Sequence, residues 1–255
     1  MNELKYIGII PARYASTRFP GKPLAMLGDK TMIERVYRRV SEVLDEVVVA
    51  TDDERILRAV EAFGGCAVMT SPNHRSGTDR CLEAYDRVGA RADVVINIQG
   101  DEPFIDPSQI RDVMGCFRHE ETRIATLVRP FDPARPYAEL ENPNTPKVTV
   151  GTDGNALLFS RSVIPYVRGR ERSEWPSATQ FYTHIGLYAY RIDTLREITA
   201  LPQSQLELAE SLEQLRWLQN GYSIRVAVNS SPTIGIDTPA DLEAACKLLN
   251  ANDNA

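Results

Sequence analysis

The sequence predicts an α/β fold with a doubly wound, mostly parallel central sheet and a smaller antiparallel dimerisation excursion. Three observations predict it. Short apolar runs rich in β-branched residues recur through the first half, at Tyr6–Ile10, Glu46–Ala50, Cys66–Met69 and Asp93–Ile98. Stretches with apolar residues at three- and four-residue spacing separate these runs, so strand and helix alternate at short intervals. Past Val128 the alternation breaks at Arg129–Pro146, which holds five prolines and no clear period.

Each element has a local cause. Tyr6–Ile10 reads as a buried strand ended by Pro11, which has no N–H for a ladder. Met32, Ile33, Val36, Val40 and Val43 predict an amphipathic helix with Arg35, Arg38 and Arg39 on its wet side. After Glu46–Ala50, either Asp52 or Asp53 can cap the helix through Ile56, Leu57, Val60 and Phe63, and Gly64-Gly65 closes it. Cys66–Met69 leads into the polar run Thr70–Arg80, which opens a helix holding Leu82, Tyr85 and Val88. Asp93–Ile98 is followed by Gln99–Pro103 and a helix from about Pro107 to Phe117.

Ile124–Val128 is a fifth strand, and the irregular Arg129–Pro146 packs on another subunit. Gly151–Gly154 between Lys147–Val150 and Ala156–Phe159 is hairpin chemistry. Arg161–Pro176 is arginine-rich and reads as a mobile loop. His184–Tyr190 is a strand, Leu206–Leu218 a helix and Ile224–Val228 a strand. Pro239–Leu249 is the terminal helix, with Asp237 or Thr238 near its N-cap, and Asn250–Ala255 a frayed tail. No repeat or linker divides the chain, so residues 1–255 read as one domain, with about 129–185 as the excursion.

Composition narrows the function. No apolar run approaches the roughly 18 residues of a membrane span, and the N-terminus lacks a basic-then-apolar signal pattern, which predicts a cytoplasmic protein. The net charge is −6, which argues against a nucleic-acid partner. Cys66, Cys81, Cys116 and Cys246 are scattered and the chain has 3 histidines, so a zinc site is not indicated.

Against that acidic background, Arg13, Arg18 and Lys22 fall within ten residues with no acid among them. Ala12, Ala15, Ser16 and Gly21 let the backbone approach a ligand there. Two guanidiniums and an ammonium at a strand's carboxyl end suit a polyphosphate. Pro23 after Gly21-Lys22 rules out a Walker A loop, and no G-x-G-x-x-G follows the strand. The polar stretches after strands one, three and four should gather along the same sheet edge.

Asp101, after a buried strand and a glycine, suits a hard cation bridged to phosphate, with Asp237 as its partner. Taken singly, each also reads as a turn or capping aspartate. Ser76–Arg80 reads either as a capping segment or as a turn that reads a base edge. His184 reads by itself as a satisfied core histidine, and Glu213 and Gln214 as exposed helix residues.

Taken in order, the segments PARYASTRFPGKP at 11–23, ATDD at 50–53, SGTDR at 76–80, NIQGDEP at 97–103, FSRSVIPY at 159–166, HIGLYAY at 184–190, SLEQLR at 211–216 and GIDTP at 235–239 carry a resemblance. Together they resemble the 3-deoxy-manno-octulosonate cytidylyltransferases, the CMP-Kdo synthetases, from the first strand to the last helix. The resemblance implies a fold of the nucleotide-diphospho-sugar transferase type. It also implies a cytoplasmic homodimer that joins CTP to an acidic eight-carbon sugar, Kdo, giving CMP-Kdo and pyrophosphate for lipopolysaccharide synthesis, with Mg²⁺ as cofactor.

By the family's pattern, Arg13, Ser16, Arg18 and Lys22 hold the triphosphate, and Ser76, Gly77, Thr78, Asp79 and Arg80 place the cytidine. Asp101 and Asp237 ligate metal, and with Arg13 and Lys22 they form the catalytic set. Gln99, Arg168, His184, Tyr188, Glu213 and Gln214 fall where the family binds the sugar acid, Arg168 suiting its carboxylate. Thr183 stands where the family usually has a basic residue. The same chemistry on 8-amino-Kdo or on a nonulosonic acid such as sialic acid is the nearest alternative. A nucleotide-sensing module without turnover is the alternative from another class.

Overall fold

A computed structural model of the protein describes residues 4–15, 19–232 and 235–252. The chain divides into two compact units: Met1–Ile110 with Arg191–Thr199 and Pro232–Ala255, and Arg111–Tyr190 with Ala200–Ser231. The fold is α/β.

In the first unit β1 (Tyr6–Ala12) leads to a small antiparallel hairpin, β2 (Met26–Leu27) and β3 (Lys30–Thr31), and to helix α1 (Met32–Ser41). There follow β4 (Val47–Thr51), α2 (Glu54–Ala62), β5 (Ala67–Met69), α3 (Gly77–Val88) and β6 (Val94–Asn97). All four main strands are parallel, in the spatial order β6-β1-β4-β5. The fourth strand thus lies on the opposite side of β1 from the second and third, which makes the gap between β1 and β6 the switch point where such sheets bind ligands.

Local chemistry explains the boundaries. β1 continues past Pro11, contrary to the sequence reading, because Ile9 and Pro11 face β6. The β1–β6 pairing ends at Ile9, so no ladder bond needs the missing N–H. Thr31 caps α1 by accepting the Glu34 N–H, and Met32, Ile33, Val36 and Val40 form its buried face. Arg38 and Arg39 are exposed as expected, but Arg35 turns back to the Leu27 carbonyl and the Asp29 carboxylate. A Cβ on Gly8 would stand 2.9 Å from Leu44 Cδ1, so the glycine is what lets α1 and its exit sit against β1. Asp53, rather than Asp52, caps α2.

The terminal helix runs from Pro239 to Asn252, past the expected end at Leu249, since no glycine or proline stops it there; residues 253–255 lie outside the described ones. It packs Leu242, Ala245, Cys246 and Leu249 with Leu27, Met32 and Ile236.

The second unit holds β7 (Ile124–Pro130), β8 (Lys147–Val150), β9 (Ala156–Ser160), β10 (Tyr182–Arg191) and β11 (Ile224–Val228). β11 is parallel to β7, while β10 is antiparallel to β7 and β8, and β9 to β8. The predicted hairpin is therefore present. The stretches read as irregular contain short helices at Tyr137–Leu140 and Trp175–Ala178, which bury Leu140 and Trp175 against Phe131 and Phe181. The single helix expected over Leu206–Leu218 is two, Gln205–Glu210 and Gln214–Gln219, broken where Ser211 takes a left-handed φ of 50°.

Candidate active site

In the first unit the three expected polar stretches meet at the carboxyl ends of the strands. The Arg13 guanidinium, just past β1, donates to the His74 carbonyl at 2.9 Å, joining the first stretch to the one after β5. Tyr14 accepts the Gly21 N–H at 2.9 Å through its carbonyl, and the Arg55 guanidinium lies 3.3 Å from the centre of its ring. Gly21 has φ 71°, a conformation costly for any other L-residue. This curl presents Lys22 at the start of a single 3₁₀ turn, Lys22–Leu24. Ser16 and Arg18, named from the sequence, lie outside the described residues.

Lys22 is the centre of the arrangement. Its ammonium donates to Asp101 Oδ2 at 2.7 Å and to Asp237 Oδ1 at 3.3 Å, and its side chain is 14% exposed. Asp101 follows β6 and Gly100, where a Cβ would stand 3.0 Å from the Pro11 carbonyl oxygen, so a larger residue would push this close passage apart. The Ile236 N–H donates to the Asp101 carbonyl at 3.0 Å, which brings Asp237 alongside.

The capping role read for Asp237 falls to its neighbour. Thr238 caps the terminal helix: its Oγ1 accepts the Asp241 N–H, and the Asp241 carboxylate accepts the N–H groups of Asp237 and Thr238. The Asp237 carboxylate is thus not the cap and points to Lys22. Two carboxylates converging on one cation position fit Mg²⁺, a hard ion that takes one or two carboxylates and completes its shell with substrate phosphate and water.

Ser76 is the N-cap of α3, its Oγ accepting the Asp79 N–H at 3.1 Å, which is the capping reading of this segment. Gly77 sits beside β1, where a Cβ would be 3.5 Å from Pro11 Cγ. Thr78 is buried, and Asp79 is half-buried, lining a cavity with His74 and Glu83. Arg80 is fully buried, donating to Asp52 at 2.7 Å and to Thr70 Oγ1 at 2.6 Å. Asp52 and Thr70 were missed as site residues; a second aspartate beside the helix cap was the available signal. Gln99 follows β6, its carbonyl accepting the Glu102 N–H.

The other residues assigned to the sugar lie in the second unit. A bulge in β10 between Ile185 and Tyr188 is filled by the buried Thr126, whose hydroxyl donates to the Leu187 carbonyl at 2.8 Å. Because that uses its one proton, His184 Nε2, 3.0 Å away, is the donor to Thr126 Oγ1, leaving Nδ1 as the acceptor. Desolvation pushes the His184 pKa down to about 3, so the ring is neutral at physiological pH. Burial, with the Glu213 carboxylate adding to it, pushes the Tyr188 phenol well above its ordinary range, so it keeps its proton.

His184 and Tyr188 rings lie 5.2 Å apart, with Phe159 edge-on to His184 and Trp217 edge-on to Tyr188. Glu213 holds the buried Arg216 at 2.6 Å, and Gln214 is buried rather than exposed, its Nε2 without a hydrogen-bond partner. Arg168 stands exposed on its loop. Thr183 Oγ1 donates to the Arg129 carbonyl.

The His184 environment gives a pH prediction. Its folded pKa lies below the ordinary histidine value of 6.5, so between about 3 and 6.5 the unfolded chain binds the extra proton and stability falls as pH falls. His184→Gln should flatten the acid limb of stability against pH by up to about 1.4 kcal/mol per pH unit in urea titrations. An unchanged limb would show that His184 does not titrate this way.

A parallel sheet with a basic loop and paired carboxylates at its switch point defines a nucleotidyl-transfer type of site. The cytidylyltransferase family profile matches residues 7–224. The chain is 64% identical over 250 residues to the 3-deoxy-manno-octulosonate cytidylyltransferase of Phocaeicola vulgatus, covering 98% of this chain and 99% of that protein. It is 61% identical to that of Bacteroides thetaiotaomicron, covering 96% and 98%. A solved CMP:2-keto-3-deoxy-manno-octonic acid synthetase complexed with CTP superposes with a TM-score of 0.89 at 43% identity, over 97% of this chain and 99% of that one. The chain belongs to the 3-deoxy-manno-octulosonate cytidylyltransferase (CMP-Kdo synthetase) family.

Proposed function

We propose that the chain transfers CMP from CTP to the anomeric hydroxyl of 3-deoxy-D-manno-octulosonate, giving CMP-Kdo and pyrophosphate for lipopolysaccharide synthesis. The observation that carries this reading is Lys22 held between Asp101 and Asp237 at the β1–β6 switch point. It occurs in a chain that matches CMP-Kdo synthetases over nearly its whole length.

The anomeric hydroxyl gives up its proton to solvent as its oxygen bonds to the α-phosphorus, while the bond to the bridging oxygen breaks and pyrophosphate leaves. Arg13 and Lys22 bind phosphate oxygens and stabilise charge that grows on the leaving group. Asp101 and Asp237 would hold Mg²⁺, which when bound neutralises phosphate charge and lowers the pKa of an attacking hydroxyl. The Ser76–Asp79 turn places the cytidine. Neutral His184, through Nδ1, and protonated Tyr188 bind sugar hydroxyls without adding charge, Gln214 offers its unpaired Nε2, and Arg168 takes the sugar carboxylate. Gln99 and Glu213 complete the sugar contacts. Positioning does most of the work, and no covalent intermediate on the chain is required.

Pyrophosphate release from CTP and Mg²⁺, with Kdo, 8-amino-Kdo and sialic acid side by side, tests the reading. Release with Kdo well above the other two is expected. Release only with another acid sugar would keep the chemistry and overturn the substrate, and silence with all three would return the sensor alternative.

The same reading includes a cytoplasmic homodimer. Supporting a dimer, Leu157 on β9 and Tyr166 beyond it are 66% and 74% exposed within the 129–185 excursion, and among the described residues β9 pairs only with β8. Leu157→Asp should shift the protein toward monomer in analytical ultracentrifugation. A dimer unaffected by this change would move the interface elsewhere.

A further inference from the structure

Arg80 is among the largest fully buried side chains of the protein, yet it is charged. Its Nη2 donates to Asp52 Oδ2 at 2.7 Å, and Nη1 donates to Thr70 Oγ1 at 2.6 Å. Thr70 in turn donates through Oγ1 to the Thr51 carbonyl at 3.1 Å, which also accepts the Thr70 N–H at 2.7 Å. The guanidinium therefore ties the carboxyl ends of β4 and β5 to the first turn of α3. Its neighbours in that turn are Ser76, which caps it, and Gly77, which faces Pro11 at the end of β1. The carbonyl of His74, just before the turn, receives Arg13.

A charge so placed is costly to bury, and stability alone does not call for it, since a buried ion pair is often no better than an apolar substitute. Its geometry has another use. Planar and fork-shaped, the guanidinium fixes two strand ends and a helix turn at once, as a lysine could not.

We propose that Arg80 is a positioning residue for nucleotide selection: with Asp52 and Thr70 it sets where Ser76–Asp79 stands relative to the end of β1, and so how closely that turn fits the pyrimidine edge of CTP. It acts through the turn and touches no substrate. This rests on the reading that Ser76–Asp79 places the cytidine. Asp52 and Thr70 acquire their roles by the same argument.

The test uses the full chain and compares Asp52→Asn, Thr70→Val and Arg80→Lys with Ser76→Ala, which removes the capping hydroxyl of the turn itself. The readouts are KM for CTP, kcat, the ratio of kcat/KM for CTP to that for UTP, and KM for the acid sugar, with thermal unfolding alongside. Since a misplacement of about 1 Å can cost about 10²-fold, a rise in KM for CTP of about tenfold is expected in Arg80→Lys. The CTP-to-UTP preference should fall by a similar factor, with kcat and the sugar KM within about twofold. Thr70→Val removes the hydroxyl that accepts from Arg80 and donates to the Thr51 carbonyl but leaves the Arg80–Asp52 pair, so it should show a smaller shift of the same kind, which keeps the test alive if Arg80→Lys folds poorly.

A loss of thermal stability with KM for CTP and the nucleotide preference unchanged would overturn the proposal and leave the pair purely structural. If Ser76→Ala shifts the nucleotide preference while the Arg80, Asp52 and Thr70 variants do not, the proposal falls and the reading of the turn stands. If none of the four shifts it, both fall.

Discussion

Asp101→Asn should lower kcat for pyrophosphate release about 10²-fold or more, the scale seen when a main electrostatic contributor to a transition state is removed. The substitution isolates charge. Asn has nearly the same size and its Oδ1 can still accept from Lys22, now 2.7 Å from the carboxylate. Gly100, the tight passage over Pro11 and the main-chain bond from Ile236 are unchanged. The side chain is 31% exposed, so the fold should lose no more than about 1 kcal/mol. Turnover that survives within about tenfold, in a variant of ordinary stability, would remove Asp101 from the metal-binding and catalytic set. A thermal shift of many degrees instead would recast it as a structural tie between β6 and the segment before the last helix.

The sequence carried the first unit's architecture because there each signal is local. Val47–Thr51, with nothing but apolar and β-branched residues before its threonine, has no alternative to a buried parallel strand, and Thr31, Asp53 and Ser76 are cap residues at helix starts. The misread points depend on tertiary context. Pro11 does not end β1, because which side of a ladder a proline faces depends on how far the neighbouring strand runs. The break at Ser211 needs a left-handed serine, which composition does not signal.

At the site, the motifs named Lys22, Asp101 and Asp237, but only the folded chain shows one ammonium between two carboxylates separated by most of the sequence. It also shows that Thr238 and Asp241 make the cap that Asp237 was equally suited to make. Asp52 and Arg80 went unpaired in the sequence reading because their bond spans 28 positions and depends on where two strands end. The bulge that aims His184 and Tyr188 likewise depends on a two-residue excess in β10, which has no signature of its own beyond Gly186.

Lys22→Met should act in two opposite directions. The aliphatic stem survives, so packing in this 14%-exposed position is largely kept, but the charge between Asp101 and Asp237 goes. Binding of CTP should weaken by about 10- to 100-fold, the worth of one or two charge-assisted hydrogen bonds to phosphate, and this should appear chiefly in KM for CTP. Without CTP, the same change removes a cation that competes for the two carboxylates. Their mutual repulsion is then relieved only by a metal, so calorimetric binding of Mg²⁺ to the nucleotide-free protein should tighten several-fold. A Lys22 that serves only to tie β6 to the terminal helix would lower the melting temperature and leave CTP kinetics alone. One that belongs to the phosphate site alone would weaken CTP without strengthening Mg²⁺ binding. Only a lysine shared between the triphosphate and the carboxylate pair produces both signs together, and Lys22→Arg should not restore wild-type behaviour, because a planar fork cannot occupy the point between the two oxygens that the ammonium fills.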